Sequence, residues 1–136
     1  MAYEKVGCTH TFRATTGLKQ YQAVDITGAN NRLINPTTIV PAIGVLISSG
    51  TTGSTGRAGS TDSGSVQTVQ FDGIAKCIAG STTIDASDFL TSDTDGRCST
   101  AAGSSTGMIF ARSLGAVDTT STSAHIISVL LKPNIG

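Results

Sequence analysis

Phe71 to Cys98 reads FDGIAKCIAGSTTIDASDFLTSDTDGRC, and the pairing of this stretch decides the fold. It holds two Asp-Gly pairs, Asp72-Gly73 and Asp95-Gly96, beside short apolar runs. Asp-Gly takes positive φ with little strain, so each pair is a hairpin signal. Ile74, Ile78, Ile84, Phe89 and Leu90, between them, are the core candidates. Val69 and Phe71 fall on odd positions, Ile74 and Ile78 on even ones. A strand keeps its parity, so a tight hairpin or a bulge is expected at Asp72-Gly73. The second pair predicts a hairpin with arms at Phe89–Thr91 and Arg97–Ser99. Ile84 to Leu90 leaves room for one short helical turn, with Asp85 or Ser87 as its cap.

Outward from this stretch the pattern stays that of short strands. His10 to Thr16 is a strand with Phe12 and Ala14 on one face, broken by Gly17. Val24 to Thr27 alternates, Gly28 to Asn31 turns, and Arg32 to Ile34 returns until Asn35-Pro36 ends the ladder. Thr37 to Ile47 is apolar and β-branched but carries Pro41 and Gly44. It predicts a strand pair or a bent strand buried on both faces. Ser48 to Ser65 is a Gly/Ser/Thr-rich segment without an apolar anchor, expected as a flexible loop. Val66 to Phe71 alternates. Ala101 to Gly107 is loop and Met108 to Leu114 a strand. Thr119 to Ser123 is a polar turn, and Ala124 to Lys132 is a strand ending before Pro133.

The sum is an all-β protein, a small β-sandwich or barrel-like domain of about eight to ten short strands with at most one helical turn. The expected organisation is an N-terminal arm over 1–11 and a single β domain over 12–136, with the loop at 48–65.

Composition agrees. The chain has 136 residues, a formal net charge of +0 and 13% charged residues. A nucleic-acid-binding protein usually shows a basic surplus, so no nucleic-acid partner is expected. Aromatics are 4% and Trp is absent, so the core must be aliphatic. Ser and Thr make up more than a quarter of the chain. So little charge suits a protein that works with much of its surface covered. The first residues, MAYEKVGCTHTF, carry no apolar run, and no stretch has the roughly 18 apolar residues of a membrane span, so neither a signal peptide nor a membrane partner is expected. Cys8, Cys77 and Cys98 are an odd number without paired spacing. They read as free buried thiols, with a Cys77–Cys98 bridge as the other option.

Catalytic and metal readings find no support in the motifs. His10 and His125 lie far apart, and there is no G-x-S-x-G elbow for a hydrolase. Gly59 to Val66 has phosphate-loop glycine spacing but no following Lys. Asp93 and Asp95 sit like the middle of a calcium loop, yet Thr91 and Ala102 would occupy its first and last ligand positions. A turn is the better account. No enzyme activity, cofactor, catalytic residue or metal site is expected.

FDGIAKCIAG, STTIDASDFL, TSDTDGRCSTA, GMIFARSLGAV and AHIISVLLKP, in this order, resemble the small capsid decoration, or cement, proteins of tailed bacteriophages. The matching positions are Gly73-Ile74-Ala75, Ile84 to Leu90, Asp95-Gly96-Arg97, Gly107 to Leu114 and Ile127 to Leu131. The resemblance covers about Val40 to Leu131, with the 48–65 loop as an insertion. Two departures stand out. Ser87 replaces the usual Gly before the Asp, and Ile109 to Arg112 lengthens the G-x-A-L step. The resemblance implies a β-tulip-like fold and a non-enzymatic virion protein, made in the host cytoplasm. Such a protein is expected to bind the outer surface of an icosahedral head as a homotrimer and to cement neighbouring major capsid subunits against internal DNA pressure. The expected contacts, to the major capsid protein or to other copies, are Tyr3, Lys5, Val6, Thr9, His10 and Thr11 of the arm. The alternative is a head-fibre or receptor- and glycan-binding module on the virion surface.

Overall fold

The computed structural model describes residues 5–28, 30–36, 42–48, 61–80, 84–100, 109–116 and 126–131. Among them the chain is all-β, with eleven short strands and no helix. The readings for 37–41, 101–107, 119–123 and most of the Gly-rich segment lie outside the described residues.

Five strands close a barrel in the order β2 (Thr9–Ala14), β4 (Arg32–Ile34), β3 (Ala23–Ile26), β5 (Gly44–Leu46) and β6 (Val66–Gln70). Its interior holds Ala14, Leu18, Val24, Leu33, Leu46 and Val69, with Phe12, Ile26, Ile43 and Phe71 packed against them. β3 and β4 form the hairpin that the alternation and the Gly28–Asn31 turn predict, in the register Ile26 to Leu33. All three residues of β5 are buried, as its β-branched surroundings suggest.

The second sheet has six strands, in the order β1 (Lys5–Val6), β7 (Gly73–Ile78), β11 (Ile126–Leu131), β10 (Ala111–Ser113), β8 (Phe89–Ser92) and β9 (Cys98–Thr100). A parallel bridge between Ala79 and Cys98 draws its far strand back to the end of β7. The Gly80 amide donates to the Cys98 carbonyl at 2.7 Å in the same place. The sheet therefore curls towards closure around a core of Ala75, Cys77, Ile84, Leu90, Cys98, Phe110, Ile127 and Val129, which Ala23, Ala42 and Val45 join from the barrel side.

One antiparallel ribbon runs through both bodies. In the barrel β2 pairs with β6 as Thr9 to Gln70 and Arg13 to Val66. In the second sheet β1 pairs with β7 as Val6 to Gly73 and Lys5 to Ile74. Partner numbers sum to the same value on both sides, so no residue is inserted. Asp72-Gly73 is neither hairpin nor bulge. It is the point at which a continuous ribbon leaves one sheet for the other, with Gly7-Cys8 opposite Phe71-Asp72. The apparent parity change has a simple cause. Ala75, Cys77 and Ala79, on odd positions like Val69, are buried, whereas Ile74 and Ile78 are only half-buried on the outer face. Side-chain size misled the reading: the small residues face the core. Of the other core candidates, Ile84 and Leu90 are buried and Phe89 is not.

The ribbon also takes up residues 5–11, which the sequence reading leaves to an arm. The Gly-rich segment is pinned at both ends. Thr68 donates its amide to Ser48 Oγ at 2.9 Å. Thr61 is fully buried, its hydroxyl donating to the Thr15 carbonyl at 2.6 Å and accepting from the Leu18 amide at 3.0 Å. A hydrogen-bonding side chain serves as the anchor that no apolar residue supplies.

The Asp95-Gly96 hairpin forms as expected, with Ser92 opposite Cys98 and Leu90 opposite Thr100. Its tip docks on the barrel: the Ala23 amide donates to the Gly96 carbonyl at 2.7 Å. Tyr21 stitches the same seam. Its amide donates to Leu46 at 2.7 Å, and its carbonyl accepts from the Ile78 amide at 2.9 Å. Between Ile84 and Leu90 there is a turn and no helix. Its cap is Asp88, whose Oδ2 accepts from the Asp85 amide at 2.9 Å, in place of Asp85 or Ser87. Ser87 takes φ +76°, which explains why a Gly suits this step.

Candidate functional site

The expected contact residues fall in two groups. Tyr3 lies outside the described residues. Lys5 and Val6 form β1 at the edge of the second sheet. Thr9, His10 and Thr11 are exposed at the start of β2. His10 lies edge-on to Phe12, ring centroids 4.9 Å apart, and Phe12 lies edge-on to Phe71 at 6.0 Å. This strip is polar except for the rings beneath it. His125 lies outside the described residues.

Two polar regions are occupied by internal bonding. Asp93 Oδ1 accepts from the amides of Asp95 and Arg97, each at 2.9 Å, and Oδ2 takes Arg97 Nε at 2.9 Å. The acids are thus used by the turn, as their sequence context indicates. Beside it a cleft of about 490 Å³ is lined by Gly17, Lys19, Gln22, Asn35, Ile78, Asp95 and Arg97. Gln22, buried there, accepts from the Lys19 amide at 2.8 Å and donates to Asn35 Oδ1 at 2.7 Å. These bonds lie within the barrel side, and the seam to the second sheet is crossed by the Ala23–Gly96 and Tyr21–Ile78 backbone bonds.

The cysteines differ in setting. Cys77 and Cys98 are free and buried, as expected, whereas Cys8 is free and exposed at the bend. Hydrogen bonding to Cys77, together with burial, pushes the Cys98 thiol well above its ordinary value. A hydrogen bond to the Asp72 carboxylate, with its negative charge, raises the Cys8 thiol.

The exposed large apolar side chains gather elsewhere. Phe89, Leu114, Ile126 and Leu130 are all exposed on, or next to, β8, β10 and β11. Cross-strand register puts them on one face. Ile74 stands opposite Leu130, Leu130 opposite Arg112, and Arg112 opposite Phe89, a row across four strands. A parallel row continues with Ile78 opposite Ile126. The Arg112 guanidinium lies over the Phe89 ring at 5.7 Å, and its Nε donates to the Ser87 carbonyl at 3.2 Å. Lys76 Nζ lies over the Tyr21 ring at 5.6 Å. Phe89 is 54% exposed and Leu130 44%. Single apolar side chains are normal on a surface; here several stand in register on the outer face of one sheet.

The contacts expected from the sequence lie on the arm, and none lies on this face. The signal was present in IISVLL of β11, which is apolar on both parities apart from Ser128. A strand of that kind buries one face in its own core and offers the other outward.

No protein-family model matches the chain, and no curated protein matches it. Among solved structures it is similar to the head fiber gp8.5 N base in bacteriophage phi29. The TM-score is 0.65, over 93% of this chain and 94% of that one, at 14% sequence identity. At that identity the likeness is one of fold: the two chains share a β architecture over nearly their whole length.

Proposed function

We propose that the chain is a non-catalytic structural protein of a phage virion, seated on the outer surface of an icosahedral head. There it cements neighbouring major capsid subunits as a homotrimer. The observation that carries this reading is the fold shared, over nearly the full length of both chains, with a head-fibre base. The low charge of the chain and the motif resemblance to capsid decoration proteins support it. Many modest contacts multiplied by valency would give firm attachment.

The second reading, favoured by the same fold likeness, is a head-fibre base that anchors a projecting element. The two differ in what attachment does to the shell. The test mixes purified protein with heads assembled without it and measures stoichiometric binding, then DNA retention on heating. A cement protein raises the temperature of DNA release, whereas a fibre base binds and leaves it unchanged. Absence of binding, with a monomeric mass by light scattering, overturns both.

A further inference from the structure

Cys77 and Cys98 belong to strands that are distant in the sheet order and adjacent in space. β7 and β9 are separated by β11, β10 and β8. The curl of the sheet brings Cys98 against the end of β7, through the Ala79–Cys98 bridge and the Gly80 amide bond to the Cys98 carbonyl at 2.7 Å. Cys77 shares the inward parity of Ala79, and both thiols are fully buried in one core. The Cys77 thiol donates to the Ile78 carbonyl at 3.8 Å, and the Cys98 thiol is hydrogen-bonded to Cys77. The two sulfurs are therefore direct neighbours. The backbone closure beside them is slight, since an isolated bridge stands where a ladder joins the other neighbouring strands.

We propose that Cys77 and Cys98 form a redox-responsive staple: a disulfide between them joins β7 to β9 and closes the curled sheet covalently. The two thiols are oxidised and a small peroxide is reduced. One thiolate of the pair attacks a peroxide oxygen and the O–O bond breaks. This gives a sulfenic acid and hydroxide, which takes up the proton that the thiol gave. The second sulfur then attacks the first, the S–O bond breaks, and the hydroxyl leaves as water with the second thiol proton. Two thiols and one peroxide thus give one disulfide and two waters.

Under reducing conditions the pair stays as thiols. The hydrogen bond to Cys77 and burial hold the Cys98 thiol up, so thiolate is scarce and the oxidation is slow. Cys8, exposed at the bend, takes part in neither step. Once formed, the disulfide restricts the unfolded chain between Cys77 and Cys98, so the oxidised protein melts higher.

The test uses the full chain with Cys8→Ser, so that the exposed thiol cross-links no two molecules. The folded protein is held in hydrogen peroxide or in dithiothreitol, and remaining thiols are then alkylated in denaturant. Peptide mapping without reduction is expected to recover Cys77 joined to Cys98 from the peroxide sample, with neither residue alkylated. The melting temperature is expected to rise by about 5 to 10 °C on oxidation and to return on reduction. Cys77→Ser in the same background is expected to show neither change. Thiols that persist in peroxide, or that gain oxygen in place of pairing, overturn the proposal. A cross-link that forms only in urea also overturns it, because it then reports the unfolded chain. So does a cross-link that leaves the melting temperature unchanged or lowers it.

Discussion

Cys8 and Asp72 face each other across the bend of the ribbon: the Cys8 amide donates to the Asp72 carboxylate, and the Phe71 amide donates back to the Cys8 carbonyl at 2.9 Å. This exchange lets two paired strands leave the barrel together and enter the second sheet without losing register. It depends on Gly7 having no side chain, since a Cβ there would lie 2.0 Å from Asp72 Oδ1 and 2.8 Å from the Asp72 carbonyl oxygen.

Gly7→Ala is therefore expected to destabilise the protein by about 2 kcal/mol, the middle of the range for overpacking. The urea midpoint measures it. An unchanged midpoint would mean that the bend opens without cost and that the two bodies are not held by it.

The same contact sets the chemistry of the exposed thiol. Asp72 raises the Cys8 thiol, so less thiolate is present at a given pH and alkylation is slower than for an ordinary exposed cysteine. Asp72→Asn removes the negative charge, the thiol returns towards its usual range, and the pH–rate curve for iodoacetamide shifts to lower pH. Cys77 and Cys98, both buried, should react only on unfolding. An unshifted curve in Asp72→Asn would remove Asp72 as the cause.

Gly96 and Gly17 separate two reasons for a glycine. Both have positive φ, +78° and +95°. A Cβ at Gly96 would meet the Ala23 carbonyl at 2.6 Å and the Gln22 side chain at 2.8 Å, whereas one at Gly17 meets nothing within 4 Å. Gly17→Ala should cost about 1 kcal/mol, the backbone term alone. Gly96→Ala adds a clash at the seam and should cost about 2 to 3 kcal/mol. Denaturant titration of the two variants checks the order, and equal losses would show that the docked turn yields freely.

Phe89 and Phe110 offer a direct comparison of outer face with core. Phe110 is 1% exposed and Phe89 54%. Phe110→Ala should lose about 3 to 5 kcal/mol, as large-to-small changes in a core do. Phe89→Ala should lose under about 1 kcal/mol of stability, as surface changes do. Calorimetric unfolding of both variants measures this.

Ser87→Gly should stabilise the protein by up to about 1 kcal/mol, because a left-handed residue with a Cβ gives way to one without. The Ser87 amide bond to the Ser113 carbonyl, 2.9 Å, and the Arg112 bond to the Ser87 carbonyl both use backbone and survive the change. A loss of stability would assign the Ser87 side chain a role that its exposure does not suggest.

Local chemistry alone decided a good deal about this protein. The β class follows from Thr, Val and Ile in short runs between Gly, Asp and Asn. The β3–β4 and β8–β9 hairpins follow from turn residues that need few neighbours. β11 follows from IISVLL, six residues that are apolar and largely β-branched apart from Ser128 and the two leucines. Tertiary structure decided the rest. Ile74 and Ile78 outrank Ala75 and Cys77 in hydrophobicity, yet the inside of the curled sheet is filled by Phe110, Ile84 and Leu90 and leaves room at β7 only for small side chains. Whether Asp72-Gly73 turns back or runs on depends on β1 arriving as its partner, 69 positions away in the pair Lys5 and Ile74. A pairing of that kind gains its free energy only once the loop between is closed, and no local pattern records it. The outward row from Ile74 to Phe89 exists for the same reason: four strands, spread from Gly73 to Leu131, meet in one register and leave apolar side chains exposed on their outer face.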